Sequence, residues 1–220
     1  IQTHPELTLD HMSKEGFELY GPTGMKAWLT DLNIDFRKPS EESHSHNKEN
    51  DKSIGYPSFA KITSFLKGIA KKYPKITKLI SIGKSVDGKE LYVVKISDNV
   101  EKDELEPEFK YISSMHGDEI TGRELTQFMI RDIINEYGVN QQITDLVDNT
   151  EIYIMPSMNP DGSKRRRRPN ANGQDLNRNF PDWTRGDTNS KAKRQPETMA
   201  VMNFQASRQF SLSANFHGGA

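Results

Sequence analysis

From Ser58 onward the apolar positions recur with two different periods, and the switches between them mark out a layered chain. Phe59, Ile62, Phe65, Leu66 and Ile69 fall on one helical face between Ser58 and Tyr73, and Pro74 ends that run. Two strand-like runs follow, Ile76 to Gly83 and Glu90 to Ser97, joined by a turn at Asp87-Gly88. Phe109 to Met115 predicts a strand and Glu119 to Tyr137 a long helix. Glu151 to Met158 predicts another strand, followed by a polar loop that runs through Asp182. Pro196 to Arg208 has helical character, and Ser211 to Phe216 closes as a strand. Strands alternating with helices predict an α/β layered domain with a parallel or mixed sheet.

The chain before Ser58 is weaker. Glu15 to Tyr20 has the alternation of a short strand. Met25, Trp28, Leu29 and Leu32 sit at helical spacing within Pro22 to Leu32, and Ile34 with Phe36 suggests a further strand. Arg37 to Ser53 contains no large apolar residue and is rich in Ser, Glu, Asn and Lys, so it reads as a linker. The expected organisation is a small α/β extension at 1–36, a polar linker at 37–55 and a larger domain at 56–220. His4, His11, His44 and His46 have neither a fixed acidic partner nor an apolar frame, and they read as solvated.

Composition narrows the function classes. Hydrophobic residues make up 33% of the 220, which is lean, but 30 basic and 31 acidic residues nearly cancel and argue against wholesale disorder. No apolar run approaches the ~20 residues that span a bilayer. A net charge of -1 supplies no global basic field to recruit nucleic acid. The absence of Cys excludes disulfides, thiolate zinc sites and cysteine nucleophiles. The chain opens at Ile1 without a signal-like stretch, which suggests a mature or trimmed product of a secreted or periplasmic protein.

Chemistry gathers at the predicted strand exits. His116 and Glu119 stand three residues apart after FKYISSM, on the turn entering a helix. Ligands bind beyond the carboxyl ends of strands in open α/β sheets, and zinc accepts a nitrogen-plus-oxygen pair. The spacing alone does not separate a metal pair from an incidental one. His217 follows SLSANF at another strand exit and completes a candidate set of two imidazoles and a carboxylate. Between them lies NPDGSKRRRRPNANGQDLNRNFPD, residues 159–182. Its Lys164 to Arg168 run is open to three readings: a solvated loop, a nucleic-acid patch, or arginines facing the site to fork onto a carboxylate or oxyanion. No aromatic residues interleave to favour nucleic acid. Asn177-Arg178 suits recognition of a free carboxylate.

From Tyr56 to Ala220 these motifs resemble the zinc metallocarboxypeptidase family. The likeness rests on HGDE at 116–119, MNPDG at 158–162, NANGQDLNRNFPD at 170–182 and SANFHGGA at 213–220, and it is nearest to the N/E-type subfamily. The resemblance implies a three-layer α/β/α sandwich with a mixed, mainly parallel central sheet, incomplete at its C-terminus. It implies one zinc ion held by His116, Glu119 and His217. Arg168 is then the residue that polarises the scissile carbonyl, and Asn177 and Arg178 bind the substrate's terminal carboxylate. The implied activity is release of single C-terminal amino acids, expected to be basic, from peptides or proteins by metal-activated water, with no nucleic acid partner. The family's general-base glutamate, closing tyrosine and acidic specificity residue lie beyond the position of Ala220. The expectation is therefore a first portion of the catalytic domain that needs the remaining part to complete a turnover. A cell-wall peptidase or zinc deacylase would use the same ligand triad, and a non-catalytic carboxypeptidase-like binding module would keep the same fold. The small extension at 1–36 is consistent with the remnant of a pro-segment.

Overall fold

The computed structural model describes residues 8–13, 16–21, 24–36, 57–182, 184 and 192–218. In chain order the strands are β1 (Thr8–Ser13), β2 (Gly16–Tyr20), β3 (Thr77–Lys84), β4 (Glu90–Ile96), β5 (Glu108–Ser113), β6 (Glu151–Met155) and β7 (Phe210–Phe216). The helices are α1 (Met25–Asp31), α2 (Phe59–Lys72), α3 (Thr121–Glu136), α4 (Gln141–Asp148), α5 (Pro160–Arg165) and α6 (Pro196–Ala206). A 3-10 turn spans Leu176–Arg178.

Five strands form one sheet in the order β3-β4-β6-β5-β7. The β3–β4 and β4–β6 pairs are antiparallel, and the β6–β5 and β5–β7 pairs are parallel. The sheet is therefore mixed and open, as expected, with the parallel share at half. The parallel half is the part that leads into the candidate site.

Side-chain alternation in the central strands builds the layers. Ile152 and Ile154 of β6, with Val94 and Ile96 of β4, pack under Ile62 and Leu66 of α2, Ile130 and Ile134 of α3, and Val147 of α4. Their neighbours Tyr153, Met155, Leu91 and Val93 point the other way and pack against Ala200, Val201 and Phe204 of α6. All five residues of β6 are buried because both of its faces are covered. The outcome is the three-layer α/β/α arrangement.

One polar group interrupts this core. Lys95 and Glu151, both buried, pair across β4 and β6 at 2.6 Å. Tyr153 donates its hydroxyl to Glu151 at 2.6 Å, and the Lys95 ammonium also donates to the Lys102 carbonyl at 2.6 Å. Burial pushes the Glu151 carboxyl up, but the bonds from Lys95 and Tyr153 outweigh it and bring it below its ordinary value.

Several elements depart from the sequence expectations. Asn140 caps α4, a helix of 8 residues, by accepting from the amides of Gln142 and Ile143, and only Val147 of that helix is buried. α5 occupies the start of what the sequence presents as loop. It forms because Asn159 accepts from the Gly162 amide and Pro160 takes the first helical position. Ile34 and Phe36 do not form a strand and lie exposed. β1, which the sequence pattern did not mark, pairs with β2 as an antiparallel hairpin. The proposed linker at 37–55 lies outside the described residues. Among the described residues no helix is long and apolar enough to cross a membrane.

Lys95→Ala is expected to lose about 3–5 kcal/mol of stability in urea denaturation, because it strands a buried carboxylate. The pair Lys95→Met with Glu151→Leu recovers most of that loss. Because Glu151 is lowered in the folded state, its contribution is full above the unfolded carboxyl pKa of about 4.3 and is lost as pH falls through the folded value. The double variant accordingly shows a weaker fall in stability on acidification than the wild type.

Candidate metal centre

The parallel register of β5 and β7 determines where the site forms. Ser113 lies opposite Phe216 at the ends of these neighbouring strands, so both chains leave the sheet at the same edge. His116 follows one strand by three residues and His217 follows the other by one. Their rings come together with centroids 4.9 Å apart.

The turn between β5 and α3 is tightly specified. Ser114 takes a left-handed conformation, φ 52°, and its hydroxyl donates to the Glu119 carbonyl at 2.9 Å. Gly122 lets α3 approach the seam between the strands, since a Cβ there would sit 3.0 Å from the Ser113 Cβ and 3.1 Å from the Phe216 Cβ. Gly117 is more constrained still. A Cβ at that position would lie 2.1 Å from the Gly162 carbonyl carbon and 2.4 Å from the Arg167 oxygen. The Gly117 amide donates to the Arg168 carbonyl at 3.2 Å, which presses the histidine turn against the polar loop.

Asn159 completes this clamp. Fully buried, it donates its side-chain amide to the carbonyls of Met115 and Arg168, both at 3.2 Å, while capping α5. One side chain thus holds the histidine turn to both the start and the arginine end of the polar loop.

On this frame His116, Glu119 and His217 offer ligand atoms that all lie within 4.8 Å of one another. His116 Nδ1 approaches Glu119 Oε1 at 2.7 Å, and His217 Nδ1 approaches Glu119 Oε2 at 2.8 Å. The Gly218 amide donates to the same Oε2 at 2.9 Å. Burial would raise the Glu119 carboxyl, but the bonds from His116 and Gly218, with the charge of both imidazoles, hold it at about 2. The carboxyl is therefore ionised at physiological pH.

The other nitrogen of His116, Nε2, meets Asp175 Oδ1 at 3.0 Å. A proton held on Nε2 by that carboxylate leaves Nδ1 free to act as a ligand. Asp175 also accepts from the Asn177 amide at 2.8 Å and from Arg168 Nε at 3.0 Å. Burial alone would push the Asp175 carboxyl up, but His116, Arg168 and the Asn177 amide keep it far below the carboxylate range. For His116 burial disfavours the charged imidazole, and the two flanking carboxylates outweigh that effect and raise its pKa.

Two imidazole nitrogens and a carboxylate oxygen, with one imidazole oriented by a second carboxylate, fit a zinc ion with a fourth position for water. Two other acidic groups among the described residues, Asp98-Glu104-Glu106 and Asp103-Glu108-Glu151, bring their ligand oxygens equally close. They offer oxygen alone, and Glu151 is already taken by Lys95.

The remaining predicted residues fall around this centre at different ranges. Arg168 is part of it, with Nη1 3.6 Å from Glu119 Oε1. Asn177 is tied to it through its amide and lines a cavity of about 580 Å³ with Met115, Phe180, Ser213 and Asn215. Arg178 stands exposed on the same 3-10 turn and donates to the Asn177 carbonyl at 3.2 Å. Among the described residues no bond or ion pair joins Arg178 to the triad. Asp175 and Asn159 were not marked by the sequence pattern. The Asn-Pro start of α5 could have pointed to the second, as a helix cap.

Fold and site together define an open α/β protein with a His-Glu-His cluster that could hold a divalent metal ion. The family model described as "Zinc carboxypeptidase" matches residues 62–220, and the chain belongs to that family. Human carboxypeptidase D is 46% identical over 191 residues, covering 82% of this chain and 14% of the relative. Mouse carboxypeptidase M is 45% identical over 167 residues, covering 71% of this chain and 37% of the relative. The chain thus spans well under two thirds of these curated relatives. The crystal structure of carboxypeptidase A from Helicoverpa armigera superposes with a TM-score of 0.71 at 18% identity, covering 100% of this chain and 65% of that one. That match speaks to the fold alone.

Asp175→Asn is expected to weaken zinc affinity by about 10–100-fold while leaving the circular dichroism spectrum unchanged. Competition with a chromogenic chelator measures it. An affinity equal to wild type would remove Asp175 from its orienting role.

Proposed function

We propose that the chain carries the metal-binding and substrate-orienting part of a zinc metallocarboxypeptidase, which removes single C-terminal residues from peptides and prefers basic ones. The observation that carries this reading is the convergence on Asp175 of a metal-ligand imidazole, the Arg168 guanidinium and the Asn177 amide. One carboxylate thereby sets the spacing between a metal position, an oxyanion partner and a site for a free carboxylate. Family membership supports the exopeptidase chemistry, and the N/E-like NANGQDLNRNFPD segment supports the basic preference.

In this reading His116, Glu119 and His217 hold one zinc ion. Zinc bound there supplies a Lewis acid and a water with a pKa near ~7. A proton held on His116 Nε2 by Asp175 would leave the Nδ1 lone pair facing the metal position. Glu119 contributes the only negative charge among the three ligands, which leaves the loaded centre electrophilic. Arg168, largely shielded from solvent, places a fixed positive charge beside the scissile carbonyl, where negative charge grows in the transition state. Asn177 and the exposed Arg178 receive the terminal carboxylate of the peptide, the guanidinium by a two-pronged contact.

Zinc is expected to bind once per chain by calorimetric titration, and His217→Ala to weaken it by at least about tenfold. The protein that carries this chain should release one residue from a dansylated peptide ending in Arg, faster than from one ending in Leu, and leave a cell-wall tripeptide intact. Preference for the tripeptide would replace the reading with a cell-wall peptidase. Peptide binding without any hydrolysis would replace it with a binding module.

A further inference from the structure

The polar loop that leads into Arg168 is far more basic than the chain as a whole. Residues 159–182 contain six basic and three acidic side chains, in a chain whose net charge is -1. Two of those three acids are turned inward. Asp161 is fully buried and pairs with Lys89, and Asp175 is buried against His116 and Arg168. Lys164, Arg166 and Arg178 remain exposed, and the exposed Arg165 is paired with Asp87.

These cations are not displayed on a loose loop. Pro160 to Ser163 are buried beneath the run, and Pro169 and Asn170 are buried after it. The Arg166 amide donates to the Ser163 carbonyl at 3.2 Å and the Arg167 amide to the Gly162 carbonyl at 3.0 Å. Arg165 forks onto Asp87 at 3.0 and 3.3 Å. A segment fixed in this way loses little entropy when it meets a ligand. Arg166 is two residues from Arg168, so their Cα atoms are at most about 7 Å apart.

We propose that this basic loop is a subsite for acidic side chains in the peptide, upstream of the residue that is removed. The inference rests on the carboxypeptidase reading of the centre. A substrate with its scissile carbonyl at Arg168 has its preceding residues within reach of the cations that lead up to Arg168. Carboxylates there meet a preorganised positive field, and lysines there meet repulsion. The loop thus favours peptides whose last few residues before the leaving one are Asp or Glu. Nucleic acid is the less favoured ligand, because no aromatic residue interleaves the run to stack bases.

The test compares three fluorescent peptides with the same C-terminal Arg, preceded by Glu-Glu, Ala-Ala or Lys-Lys. Binding to the zinc-loaded 220-residue chain is read by anisotropy at about 20 mM and about 300 mM salt, which differ widely in screening. The Glu-Glu peptide is expected to bind about tenfold more tightly than Ala-Ala at low salt, with most of that advantage lost at high salt. Lys164→Glu with Arg166→Gly should erase the advantage and leave the Ala-Ala affinity unchanged. Glycine suits position 166, where φ is 50°. Equal affinity for all three peptides overturns the subsite, as does tighter binding of a short DNA duplex than of the Glu-Glu peptide. Amidating the C-terminus separates the two levels. If amidation leaves Ala-Ala binding unchanged, the carboxypeptidase reading fails and takes the subsite with it. If amidation abolishes binding but the Glu-Glu advantage is absent, only the subsite fails.

Discussion

The architecture of the site depends on one buried carboxylate. Asp175 bonds the distal nitrogen of His116 with one oxygen and the Arg168 guanidinium with the other. It also caps the 3-10 turn that presents Asn177 and Arg178. An ionised side chain this deep is costly unless its lone pairs are satisfied, and here three donors meet them. Because the donors come from three segments, satisfying the charge also sets the relative placement of those segments. The electrostatic requirement and the functional geometry are the same constraint.

That arrangement needs a stiff support, and the polar loop supplies one without an apolar core of its own. Residues 159–182 bury Leu176 in the cluster beneath α6, pack Phe180 against it, and otherwise rely on hydrogen bonds and ion pairs. Asn159 joins the histidine turn to the loop. Asn170 accepts from the amides of Asn172 and Gln174 and donates to Glu197, whose other oxygen receives the Val86 amide. The turn between β3 and β4 and the start of α6 are thereby joined to the face that carries the candidate metal centre. A lean hydrophobic content is compatible with order when backbone and amide groups are matched this fully.

What could be read from the sequence follows from range. The helix at Phe59–Lys72 and the central strands are visible because their apolar periodicity is local. His116, Glu119 and His217 are visible because each falls at a strand exit, where an open sheet binds ligands. The pairing of His116 with Asp175 crosses 59 positions and leaves no periodic trace. Asn159 looks like an ordinary loop residue until its three partners are seen. α4 spans only 8 residues, so its apolar positions Ile143, Leu146 and Val147 cover too few turns to stand out as a period of their own. The hairpin strand at Thr8–Ser13 reads TLDHMS, too polar to stand out by alternation.

The contacts within the centre fit one kind of ligand better than another. Both Nδ1 atoms lie within 2.8 Å of Glu119 oxygens, so each needs a positive species between ring and carboxylate. A proton can fill that role, but only along one line at a time. A divalent cation satisfies both rings and the carboxylate from one point, and it displaces the protons as it does so. The outer shell is already arranged for that exchange. Asp175 holds the far side of His116, and the Gly218 amide holds Glu119 from the other direction. With a cation held there, Arg168, whose Nη1 lies 3.6 Å from Glu119, would be left to offer its charge to an incoming oxygen.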